Sequence, residues 1–118
     1  MEMADPLAGF DLYVQAQAPQ EQPGEPWQQG QALVKCTAVW CGPCKRIAPM
    51  FLAYAARNEV SCFEVDVDAD AAFSARFNVR LLPTFLLLQD GVEVDRVEGA
   101  DWEKVQAMLS LWPRRDHA

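Results

Sequence analysis

Two cysteines separated by a glycine and a proline, Cys41 and Cys44, stand where an apolar, β-prone run gives way to a helical one. Residues Ala32 to Trp40 read as a buried strand. From Cys41 onward Ile47, Phe51, Leu52 and Ala55 recur at helical spacing as far as about Arg57. Cys41 therefore falls at the amino end of a helix, where unpaired N–H groups and the helix dipole favour a thiolate; such positions lower a thiol pKa from about 8.5 towards ~7. Cys44 lies one turn further in, placed to attack Cys41 when that sulfur is bonded to a partner. Pro43 suits the entry into the helix, whereas Pro49 falls inside it and should kink it.

Two other uses of the pair are weaker. A zinc site needs about four ligands. Cys36 and Cys62 are the only other cysteines, and the single histidine, His117, is near the carboxyl end. A purely structural disulfide closing so small a loop would constrain the unfolded chain little. A redox-active pair accounts better for the spacing, with no metal or organic cofactor required.

The 118 residues fit one domain, read as 1–118 with an atypical segment over 1–30, a core over 31–112 and a tail over 113–118. A net charge of −7 argues against binding nucleic acid or an anionic membrane surface. No apolar stretch reaches the ~18–20 residues of a membrane span. The opening "MEMADPLAGFDLY" has no basic region followed by a long apolar one, so no secretory signal is expected. Four unevenly spaced cysteines do not suggest a disulfide-stapled scaffold. The expected setting is intracellular and reducing, the cytoplasm, or an organelle if a targeting segment was removed.

Residues 18 to 30 carry three prolines and two glycines and read as an irregular connection; "GFDLYVQAQ" before them fits an edge strand or a short helix. "VSCFEVDVD" alternates as a second strand, and "ADAAFSARFN" forms a second helix that Asp68 or Asp70 can cap. "PTFLLLQ" is a third strand, "DG" a hairpin turn and "VEVDRVEG" a fourth strand of period two. Asp101 opens a last helix in which Trp102, Val105, Met108, Leu109 and Trp112 can face one core. The order β-α-β-α-β-β-α predicts an α/β fold. Its sheet is mixed and carries helices on both faces, the first two strands parallel and the last two antiparallel.

"AVWCGPCKRIAP" resembles the active-site motif of the thioredoxin family, from Trp40 before the first cysteine to Lys45 and Pro49 after the second. "FEVDVD", "FNVRLLPTFLLLQDG" and "VEGA" resemble later family segments in the same order, a match over about Ala32 to Leu111. The resemblance implies the thioredoxin fold and a thiol–disulfide oxidoreductase acting on disulfide-containing protein partners. Cys41 would be the nucleophile and Cys44 the resolving thiol. Trp40, Gly42, Pro43, Leu82, Pro83 and Gly99 would form a shallow surface for an extended substrate segment, with main-chain hydrogen bonds from Leu82. It also implies a cis bond before Pro83, where trans is the default for the sequence alone, and a reductase or small-thiol donor to restore the dithiol.

Lys35, six residues before Cys41, departs from the pattern. Thioredoxins usually have a buried aspartate at the matching position, thought to accept a proton, with a lysine on the neighbouring strand in bacterial members. Here the neighbouring position is Glu64, so the pair looks reversed. Alternation along strands puts both on one face if the register matches. Either Lys35 extends its ammonium to water, or it favours the Cys41 thiolate and raises the reduction potential, with Glu64 able to serve as proton acceptor. In the second case Lys35→Asp should lower the potential.

Cys62 would share the face of Lys35 and Glu64, with Cys36 on the other, so a bridge between them is not expected. Asp66, Asp68 and Asp70 imitate a calcium loop, but Ala71 and Phe77 stand where glycine and glutamate are needed. A strand end and helix cap is the simpler reading. Against the oxidoreductase stands a different class of function: a binding or regulatory module that keeps the surface while its dithiol is catalytically weak. Replacing both cysteines by serine separates the two.

Overall fold

A strand apolar on both faces needs a packed layer above and below it, and β1 (Gln31–Thr37) lies inside the sheet with a core on each face. The computed structural model describes residues 25–112. In it β2 (Ser61–Asp66) pairs parallel with β1 on one side and β3 (Thr84–Gln89) antiparallel on the other. The hairpin partner of β3 is β4 (Val92–Glu98), giving the order β2-β1-β3-β4. The turn between them holds Asp90 and Gly91 at φ of 53° and 83°, the left-handed pair that a two-residue hairpin loop requires.

The first strand is shorter than expected. It stops at Thr37, and Ala38 to Cys41 form a turn in which the Cys41 N–H donates to the Ala38 carbonyl at 3.1 Å. Pairing with β3 ends at Cys36 opposite Thr84, the first residue of β3. Val39 and Trp40, read as buried strand, are instead 73% and 67% exposed. The fourth strand also breaks its period. Leu87 pairs with Asp95 but Leu88 with Glu93, leaving Val94 as an exposed bulge residue.

Helix α1 (Gly42–Ala55) runs through Pro49, and α3 (Trp102–Leu111) packs on the same face of the sheet. Leu33, Phe85 and Leu87 meet Ile47 and Phe51 from α1 and Val105 and Met108 from α3 there, with Trp102, Leu109 and Trp112 packed around them. Leu52, expected in the apolar stripe, is 61% exposed: one residue past Phe51 is about 100° around the helix. Helix α2 (Ala71–Arg76) covers the other face, where Phe73 and Phe77 meet Val34, Cys36, Leu86 and Leu88. Trp27, in a 3-10 turn at Pro26–Gln28, closes this second core, its ring edge-on to Phe73 and Phe77 at 5.2 and 5.7 Å.

Polar groups fix the ends. Asp70 caps α2 through the Phe73 N–H, and Asp101 caps α3 through the Lys104 N–H. Asp66 accepts from the N–H groups of Asp68 and Ala69, a turn in place of a calcium loop. Arg96, clasped by Glu93 through two bonds of 2.6 and 2.8 Å, donates to the Phe77 and Asn78 carbonyls just beyond α2. No helix among the described residues is long and apolar enough to cross a membrane. The segment "GFDLYVQAQ" with Tyr13, and Arg114, Arg115 and His117, lie outside the described residues.

Candidate active site

The turn that ends β1 delivers Cys41 to the N-cap of α1. Its sulfur there accepts the Cys44 N–H at 3.2 Å, one of the donors a helix start leaves unpaired. Cys41 and Cys44 are joined as a disulfide with Cα atoms 5.3 Å apart. Both residues are nearly covered, at 3% and 1% exposure, so exposure does not distinguish them. Position does. Cys41 lines a groove of about 590 Å³ and Cys44 does not. The hydrogen bond and the helix end both stabilise negative charge on Cys41 Sγ once the disulfide is opened.

The groove is bounded by Trp40, Gly42 and Pro43 on one side of Cys41 and by Val67, Val79, Arg80, Leu81 and Leu82 on the other. Among the described residues the main-chain N–H and C=O of Leu82 take no hydrogen bond. Trp40 is held by its indole N–H, which donates to Asp68 at 2.7 Å. Of the six residues expected to receive substrate, Trp40, Gly42, Pro43 and Leu82 line this groove. Pro83 and Gly99 do not: Pro83 is fully buried behind Leu82, and its carbonyl accepts the Gly99 N–H at 2.8 Å. The Leu82–Pro83 bond is cis, and Gly99 has φ of 110°, a conformation that favours glycine. Val67, Val79, Arg80 and Leu81 were not anticipated. The signal for the last three was present in Val79 and Leu81, apolar residues of "NVRLLP" that no strand or helix claims.

Lys35 faces α1, its ammonium 5.6 Å from the centre of the Phe51 ring. Register sets it opposite Glu64, and Nζ donates to the Glu64 carboxylate at 3.1 Å. The lysine side chain is 2% exposed and the glutamate 51%. The ammonium therefore meets a carboxylate at the sheet surface rather than open water. Cys62 packs against the core on the face of Lys35 and Cys36 against the opposite one.

Burial pushes the Cys36 thiol up to about 12 and the Cys62 thiol to about 11. Both keep their protons at neutral pH. Iodoacetamide at pH 8 should therefore alkylate Cys41 in the reduced protein at least about a hundredfold faster than Cys36 or Cys62, read by peptide mass mapping. Comparable labelling of Cys36 would contradict the buried assignment. The sign for stability follows: unfolded thiols ionise above pH ~8.5 and the buried ones do not, so stability is intact below that pH and declines as pH rises towards 11.

A thioredoxin family model matches residues 21–110. Among curated proteins, thioredoxin Asp f 29 of Aspergillus fumigatus is 37% identical over 83 residues, covering 68% of this chain and 76% of that protein. Thioredoxin-2 of Pyricularia oryzae is 44% identical over 79 residues, covering 66% of this chain but only 46% of its own length. Among solved structures, Fasciola hepatica thioredoxin superposes with a TM-score of 0.67 at 39% identity, covering 70% of this chain and 82% of that one. With this match spanning the Cys41–Cys44 disulfide and the sheet that carries it, the chain belongs to the thioredoxin family of protein-disulfide reductases.

Proposed function

We propose that the protein reduces disulfides in extended segments of partner proteins, with Cys41 as nucleophile and Cys44 as resolving thiol. The observation that carries this is the asymmetry of the pair: Cys41 lines the groove and accepts the Cys44 N–H, while Cys44 lies behind it. A segment laid along the groove can pair with the free main-chain groups of Leu82, with Trp40, Gly42 and Pro43 beneath it. Pro83 and Gly99 act by holding Leu82 in place.

The Cys41 thiolate attacks one sulfur of the partner disulfide, forming a mixed disulfide and releasing the other partner sulfur, which takes a proton. Cys44 then loses its proton, and its thiolate attacks Cys41 Sγ. The Cys41–Cys44 disulfide forms and the second partner thiol leaves. Two electrons pass to the partner, and a reductase or small-thiol donor in a reducing compartment returns them.

Lys35 and Glu64 tune this couple. A buried ammonium in place of the family's carboxylate favours a thiolate nearby and so stabilises the reduced form, which raises the potential. Glu64, at the surface end of the pair, is the carboxylate able to take the Cys44 proton. Equilibration against defined thiol–disulfide buffers should give a potential above about −270 mV and towards about −200 mV. Lys35→Asp and Lys35→Met should both lower it; an unchanged value in both removes the tuning role. The near-complete burial of both cysteines favours one rival, a binding module with a sluggish dithiol. That reading requires the Cys41→Ser, Cys44→Ser double variant to keep the protein's function.

A further inference from the structure

A second hollow, of about 460 Å³, adjoins the groove and is lined by Asn78, Arg80, Arg96, Val97, Glu98 and Lys104. Arg80 lines both. Three of the ten lysines and arginines of an acidic chain thus surround one small space, with Glu98 the only carboxylate in its lining. Even with Glu93, which clasps Arg96 from outside, three cations face two carboxylates.

Those cations are not used up. Arg80 donates to Glu98 through Nη2 alone, at 3.1 and 3.3 Å, and its side chain is 65% exposed. Its Nε and Nη1 have no partner among the described residues. Glu98 is shared with Arg96 at 3.3 Å, so its charge is divided between two guanidinium groups. Lys104, on the exposed side of α3, makes no ion pair among the described residues. Arg96 is different: it is spent on Glu93, Glu98 and the carbonyls beyond α2, and it holds the wall of the hollow in place.

We infer that this hollow is a specificity site, taking an aspartate or glutamate side chain of the same partner segment whose disulfide meets Cys41. The inference rests on the proposed exchange reaction and adds a preference to it. A segment passing Leu82 reaches Arg80 directly, and a carboxylate there completes the guanidinium fork and meets Lys104. The chain as a whole is acidic, so net charge does not draw an acidic segment to it, and a local cluster of cations such as this one can.

Two disulfide-linked peptides differing only in aspartate or asparagine at the positions flanking the cystine test this by their second-order rates of reduction. The protein should reduce the aspartate peptide about three- to fivefold faster at low salt, the ratio falling towards one at about 0.5 M salt. Lys104→Gln should shrink the ratio and leave the asparagine-peptide rate unchanged, and Arg80→Gln should bring the ratio to one or below. Equal rates for the two peptides, or a ratio untouched by both variants, overturn the specificity site and leave the exchange reaction standing. Reduction of neither peptide overturns the exchange reaction as well.

Discussion

Cys44→Ser is expected to stop turnover and to leave the protein covalently joined to its substrate. The serine hydroxyl cannot attack the mixed disulfide, so Cys41 stays bonded to the partner and a disulfide-linked complex accumulates, visible by intact mass and lost on adding dithiothreitol. Turnover should fall by about two to three orders of magnitude, to the level of simple thiols. Cys41→Ser should lose turnover without forming the complex, because its remaining sulfur lies outside the groove. That difference is the strongest test of which cysteine does what. Ordinary turnover by Cys44→Ser, or an equal yield of complex from Cys41→Ser, would remove the assignment.

The second large effect concerns stability. Glu64→Ala should destabilise the oxidised protein by about 2 kcal/mol in denaturant titrations, because Lys35 is then left buried with no counter-charge. A fully buried pair broken in this way loses ~3–5 kcal/mol, and the half-exposure of Glu64 lets water replace part of the lost carboxylate. Lys35→Met should behave oppositely. Methionine has a similar reach and volume, lies against Phe51 without desolvating a charge, and leaves Glu64 free to hydrate, so stability should be unchanged or higher by ~1–2 kcal/mol. A silent Glu64→Ala would mean that the ammonium finds another acceptor. The combination of a costly Glu64→Ala and a harmless Lys35→Met would show that the lysine is kept for something other than holding the fold.

Much of the architecture could be read from local pattern. The dithiol at a strand-to-helix junction follows from spacing, while the pairing of Lys35 with Glu64 came from the family resemblance, alternation adding only that both share a face once the register matches. What could not be read depends on the partner of each segment. Where the first strand ends follows from where β3 begins, at Thr84 opposite Cys36, and no local property of Ala38, Val39 or Trp40 announces it. The bulge at Val94 is likewise a property of the pair of strands. The wall of the groove made by Val79, Arg80 and Leu81 lies beside Cys41 only because the connection from α2 to β3 crosses there. The family resemblance located Leu82 through its proline, but not the residues that arrive with it.

The exchange of charges between Lys35 and Glu64 has a bearing on how such a site can change. Lys35→Asp alone would set two carboxylates against each other, and Glu64→Lys alone would set two ammonium groups side by side, one of them without water. Only both changes together return an opposed pair. Positions 35 and 64 are far apart along the chain, yet the strand register joins them into a single heritable unit. A passage between this arrangement and the family's usual one therefore runs either through a weakened intermediate or through a neutral residue at position 35 first.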